Sequence, residues 1–180
     1  MGRAQRTLTD DEGTFLALLL RAQPTTAYQL SKIYADSPVS NFGTSKGKIY
    51  PLIRRLTAQG LIDAQRTARG SRFTETLGCT ASGEKAVREW VLELKPEHLL
   101  PEDPLRTKAQ SFDLLSRAEQ IEWIAQARAG LQAKLDELAA YAETVSVPFQ
   151  ASIHDNAVST VRMRLEWLDR LLVRVMSTKA

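Results

Sequence analysis

Lys46, Lys48, Tyr50, Arg54 and Arg55 fall within ten residues of one another, and Arg66, Arg69 and Arg72 follow. Between positions 46 and 72 there are seven Lys or Arg residues against a single acid, Asp63. Cationic donors at that density make charge-assisted hydrogen bonds to phosphate oxygens, and tyrosine adds a hydroxyl donor. The chemistry on offer is recognition of a polyanion. Bond-making chemistry has little to work with: the sequence carries no nucleophile motif, no glycine-rich nucleotide loop and no metal-ligand spacing. The lone Cys79 forms no intrachain disulfide and reads as a small buried residue, and His98 and His154 read as solvated. No cofactor or metal is expected, and the chain reads as non-enzymatic.

The elements that must position these residues are written locally. Thr9 with Glu12, and Thr26 with Gln29, each form a capping box that opens a helix; Pro38 stops the second. A third helix is predicted from about Ser45 to Gly60, with Ile49, Leu52, Ile53 and Leu56 forming its buried stripe. At about 100° per residue that stripe turns Gly47, Pro51 and Arg54 outward, with Lys48, Tyr50 and Arg55 flanking them. Pro51 predicts a local bend, because it removes one backbone donor and presses on the Gly47 carbonyl. Two extended stretches, Leu61 to Thr67 and Arg72 to Leu77, predict a β-hairpin with Gly70 at its tip. A fourth helix, capped by Thr80, is predicted from Ala81 to Leu94 and to bury Ala86, Val87, Trp90, Val91 and Leu94.

Pro96, Pro101 and Pro104 mark a boundary, giving domains 1–95 and 96–180. The first holds 14 basic and 9 acidic residues and the second 10 and 12, so the excess positive charge sits with the candidate polyanion-binding elements. In the second, a short helix is expected over Leu105–Leu115, and Ser116 with Glu119 opens a long one. Its apolar seam, Ile121, Ile124, Leu131, Leu135, Leu138, Ala142 and Val145, is interrupted by Arg128, for which Glu166 or Asp169 would supply a counter-charge. A last helix after Pro148 repeats the spacing with Val158, Val161, Leu165, Leu168, Leu172 and Val175, so an antiparallel helical hairpin is expected. Gly130 predicts a kink or a close helix approach.

These segments resemble the PadR family of winged-helix transcriptional regulators. The resemblance is carried by Thr26-Ala27-Tyr28-Gln29-Leu30, by Gly47-Lys48-Ile49-Tyr50-Pro51-Leu52-Ile53-Arg54-Arg55-Leu56, by Gly60-Leu61-Ile62, by Arg69-Gly70-Ser71-Arg72-Phe73 and by Leu77-Gly78-Cys79-Thr80-Ala81-Ser82-Gly83. It is strongest over residues 14 to 94, and Asp103-Pro104-Leu105 with the helical tail is similar to the longer members with a Vir-type C-terminal domain. The sequence departs from the family pattern where Thr26-Ala27 replaces His-Gly, where Lys48 replaces Thr, and where Glu75 enters the wing strand. The resemblance implies a homodimer, more often a repressor, whose C-terminal helices make the dimer and whose wings straddle a palindromic operator. It further implies a small aromatic effector in some members.

The expected protein is therefore mainly α: a winged helix-turn-helix domain followed by an antiparallel, coiled-coil-like dimerisation domain. Its expected partners are double-stranded DNA, a second copy of itself and a small aromatic ligand, with no membrane; its expected location is the cytoplasm. Candidate DNA contacts are Tyr28, Ser45, Lys46, Lys48, Tyr50, Arg54, Arg55, Arg69, Ser71 and Arg72, with Lys46, Lys48 and Arg54 reading bases. Tyr28 and Tyr50 read equally as phosphate contacts or partly buried core residues. Candidate dimer contacts are Ile121, Ile124, Leu131, Leu135, Leu138, Leu165, Leu168 and Leu172. Phe112, Trp123, Tyr141 and Trp167 are candidates for an effector pocket, with plain packing the competing reading. The alternative function is a winged-helix module that meets an acidic protein without specific DNA binding.

Overall fold

In a computed structural model of the chain, residues 7–38, 46–69 and 72–177 are described. The predominant structure is helical, with one two-stranded antiparallel sheet. The chain divides between Leu100 and Pro101 into two compact units.

In the first unit, α1 (Asp10–Ala22), α2 (Ala27–Asp36) and α3 (Lys46–Ala58) precede β1 (Ile62–Arg69), β2 (Arg72–Cys79) and α4 (Ala81–Leu92). Both capping boxes form, with the Glu12 amide donating to the Thr9 hydroxyl and the Gln29 amide to the Thr26 hydroxyl. The Thr80 hydroxyl caps α4 by accepting from the Gly83 amide at 3.0 Å. One core joins these elements: Phe15, Leu16 and Leu19 of α1, Leu30 of α2, the α3 stripe Ile49, Leu52, Ile53 and Leu56, Leu77 of β2, and Ala86 and Val87 of α4. Thr25, just before α2, bridges to Leu77, whose amide donates to the Thr25 carbonyl at 2.7 Å. The hairpin is thereby pinned to the helical core at its base.

Two glycines mark close approaches. A Cβ on Gly13 would overlap the Trp90 indole, and one on Gly83 would overlap the Leu61 carbonyl. Helix α3 stops at Ala58, and Gly60, two residues on, has a φ of 73°, the left-handed conformation glycine adopts at low cost. The Leu61 amide then donates to the Leu56 carbonyl at 3.0 Å.

In the second unit, α5 (Pro104–Ala109) and a 3₁₀ turn (Phe112–Leu114) lead into α6 (Arg117–Ala142) and α7 (Gln150–Ser177). Ser116 and Glu119 form the predicted capping box. The long helices pack antiparallel, with Ile124 near the start of α6 in one cluster with Leu168 and Val175 near the end of α7. Arg128 pairs with Asp169, one of its two expected partners. Asp103 caps α5 and reaches Arg164 of α7 at 3.2 Å.

Several expectations need correction. The helix α4 stops at Leu92 and leaves Leu94 outside it, and both Leu94 and Val91, in the last helical turn, are exposed, so the apolar spacing runs past the buried face. The segment Leu105–Leu115 is two short helical pieces, because Gln120 caps the second with side-chain bonds to the Phe112 and Leu115 carbonyls. His154 lies in the first turns of α7, not in a loop. Gly130 faces open space, so no close helix approach explains it. Among the described residues no helix is long and apolar enough to cross a membrane.

Candidate nucleic-acid interface

The buried stripe of α3 leaves its other face in solvent, and that face carries Lys48, Tyr50, Pro51 and Arg54, all exposed. Helix α3 is continuous through Pro51, whose missing donor falls in the first turns, where its partner would be the Gly47 carbonyl. Tyr28 is 75% exposed and Tyr50 44%, which removes the core reading for Tyr28 and leaves the Tyr50 ring half in water. Lys46 opens α3. Ser45, in the stretch preceding it, lies outside the described residues.

Arg69 ends β1 and Arg72 begins β2, opposite one another in register, so the strands deliver two cationic residues to the tip of the hairpin. Gly70 and Ser71 lie outside the described residues. Nearer the base, Arg66 stands opposite Glu75 in the same register, and a cross-strand pair of opposite charge neutralises that part of the wing.

Arg55 departs from its neighbours. Its Nε donates to Glu12 Oε1 at 2.8 Å, and Glu12 is 1% exposed although the Arg55 side chain is 47% exposed. Glu12 is a functional candidate that sequence reasoning missed: the capping box accounted for it locally, and a partner 43 positions away leaves no pattern in the chain.

At the start of α1, Asp10 accepts from the Trp90 indole N–H at 3.0 Å and lies 3.4 Å from His98 Nε2. The indole bond, aided by His98 and Lys95, holds the Asp10 carboxyl below its usual range. His98 is thus a paired residue, correcting its reading as solvated. Burial pushes the Cys79 thiol up, and Glu84 adds to the shift. The expected result is slow labelling of Cys79 by a disulfide reagent at neutral pH, becoming at least tenfold faster on unfolding; equal rates in both states would contradict the assignment.

In the second unit, Ile124, Leu138 and Leu168 are buried within the single chain. They hold the helical hairpin together and cannot also form a surface between copies, which corrects that part of the seam. Ile121, Leu131, Leu135, Leu165 and Leu172 remain half-buried. Ile121, Leu165 and Leu172, with Ala125 and Ala129, line an open groove of about 430 Å³. The aromatic candidates separate. Phe112 and Trp123 meet edge to face with centroids 4.9 Å apart, and both pack with Trp167 on the Ile124 cluster. Tyr141 lies eighteen residues beyond Trp123 on the same helix, about 27 Å away, and cannot share a pocket with it. A shallow groove of about 570 Å³ beside Trp123 is lined also by Leu115, Ala118, Glu119, Glu122 and Gln126. Among the described residues no cluster of three His, Cys, Asp or Glu side chains is placed to hold a metal.

No family model matches the sequence. A similar protein, the negative transcriptional regulator PadR of Bacillus subtilis (strain 168), is 25% identical over 121 residues, which span 67% of this chain and 66% of that protein. The fold is similar to the crystal structure of Bacillus subtilis PadR in complex with operator DNA, with a TM-score of 0.76 and 22% identity over 91% of this chain and 98% of that one. It is also similar to the PadR-like transcriptional regulator BC1756 from Bacillus cereus, with a TM-score of 0.74 and 18% identity over 97% and 99% of the two chains. Bacillus subtilis PadR in complex with p-coumaric acid gives 0.74 and 19% over 92% and 98%. With three helices, a hairpin and a fourth helix followed by a long helical pair, the chain has a fold similar to that of these PadR and PadR-like structures.

Proposed function

We propose that this chain is a cytoplasmic, non-enzymatic transcriptional regulator that represses by binding a palindromic operator as a homodimer and is released by a small aromatic ligand. The observation that carries the proposal is the outer face of α3, where Lys48, Tyr50 and Arg54 stand in solvent on a helix whose opposite face is locked into the core. A helix of that size fits the major groove of B-DNA. In this reading residues 1–95 bind DNA: Lys46, Lys48 and Arg54 read bases, while Tyr28, Ser45, Tyr50, Arg55, Arg69, Ser71 and Arg72 hold the backbone. The named relative is a negative transcriptional regulator, and its structures contain operator DNA in one case and p-coumaric acid in another.

Residues 96–180 would make the dimer. One recognition helix reads a half-site, so two copies are needed to span a palindrome. A two-helix hairpin alone buries few side chains, and the groove lined by Ile121, Leu165 and Leu172, together with Arg128 and Gln132, is mixed surface whose apolar part a second copy would cover. For the effector, the groove beside Trp123, with Phe112 behind the indole, is the aromatic surface best suited to a flat ligand.

Selection from a random duplex pool by the purified full chain tests the proposal. Enrichment of an inverted repeat with half-sites about one helical turn apart is the expected result. Recovery of unenriched sequences, bound weakly at every salt concentration, would replace it with the interaction-module reading.

A further inference from the structure

Among the described residues three α-helices open with a capping box, and the acceptor side chains of the three have different fates. Gln29 and Glu119 are exposed and serve their own helix N-termini. Glu12 alone among them is buried, and its two oxygens are divided: Oε2 accepts the Thr9 amide at 2.9 Å, and Oε1 accepts Arg55 Nε at 2.8 Å. A cap needs only the first bond. The second crosses from α1 to α3 and fixes one nitrogen of a planar guanidinium whose other two nitrogens lie farther out on the side chain. Nε is thus held at a buried carboxylate while the Arg55 side chain remains 47% exposed.

We propose that Glu12 is a positioning residue for DNA contact: it holds Arg55 so that the terminal nitrogens of the guanidinium face a backbone phosphate beside α3. The inference rests on the DNA-binding reading above. Arg55 lies on a flank of α3, off its buried stripe, so a backbone phosphate at that flank meets an oriented fork where a lysine would offer a flexible ammonium. Orientation by Glu12 removes rotamer freedom before binding, so less is lost when the phosphate arrives. A bidentate contact also demands a fixed plane, which an ammonium has no means to supply.

The test uses the full chain and the duplex selected by wild type from a random pool, with affinity measured between 50 and 200 mM salt. Arg55→Ala is expected to weaken binding five- to tenfold and to reduce the slope of log K against log salt by about 0.9, the signature of one lost phosphate contact. Glu12→Gln is expected to weaken binding about threefold or more in the wild-type background and to add nothing in the Arg55→Ala background. Equal losses in both backgrounds would show that Glu12 acts only through the stability of α1 and would overturn the proposal, as would an unchanged salt slope in Arg55→Ala. Thermal melting confirms that each variant is folded at the binding temperature. If either substitution prevents folding, Arg55→Lys decides: it keeps the charge and loses the fork, so an unchanged salt slope with severalfold weaker binding is expected, and wild-type affinity would refute the role. A wild-type chain that selects no duplex removes the functional reading itself, an outcome distinct from any of these.

Discussion

Binding to the selected duplex falls on the order of 100-fold when Lys48 and Arg54 are both replaced by alanine, since each good base contact contributes about 1–3 kcal/mol. The loss is specific to the selected sequence. On random duplex the same variant stays within a few-fold of wild type, because backbone contacts from the hairpin tip and the α3 flanks remain. The melting temperature is expected to stay within about 4 °C of wild type, as both side chains are exposed and surface changes of this kind cost about 0.5 kcal/mol or less. Competition binding against random duplex and a thermal melt check both halves. A parallel loss on both duplexes would move these residues from base reading to backbone holding, and unchanged affinity on the selected duplex would remove α3 as the recognition helix.

The second large effect separates two leucines four residues apart on α7. Leu168 is fully buried between the long helices, and its replacement by alanine is expected to cost about 2–5 kcal/mol, lowering the melting temperature of the second unit by on the order of 10–30 °C. Leu172 is half-buried and lines the open groove. Leu172→Glu is therefore expected to keep the helical signal of the wild type while a dimer becomes a monomer and affinity for the palindrome drops at least tenfold. Sedimentation and circular dichroism on the two variants distinguish them. A Leu172→Glu dimer of undiminished stability would place the contact between copies elsewhere.

That distinction was not legible from the chain. A three-and-four spacing says that a helix has an apolar seam; it does not say whether the partner helix belongs to the same molecule. Ile124, Leu138 and Leu168 satisfy the spacing as well as Leu165 and Leu172 do, and only their burial within one chain tells them apart. Helix starts were legible, because a hydroxyl and an acceptor three residues on form a wholly local unit, as at Thr9, Thr26 and Ser116. Helix ends were not always so: α4 stops at Leu92, while the apolar spacing continues to Leu94 on residues that nothing in this unit covers. The outer face of α3 followed directly from its buried stripe. The Glu12–Arg55 and Asp10–His98 pairs did not, since each joins residues far apart in the chain whose types have ordinary local explanations.

Only Gln59, Gly60 and Leu61 separate α3 from β1, and this connector is tied at both ends. Gly60 donates to the Thr57 carbonyl, Leu61 donates to Leu56, and Thr80 bonds the Gly60 and Leu61 carbonyls at 2.7 and 3.1 Å. Helix and hairpin are consequently one rigid caliper whose jaws have a set opening. On the DNA-binding reading proposed above, a double helix gripped by both jaws would have to supply the matching groove width itself, so that base pairs lying between the two contacts would be screened by how readily they deform.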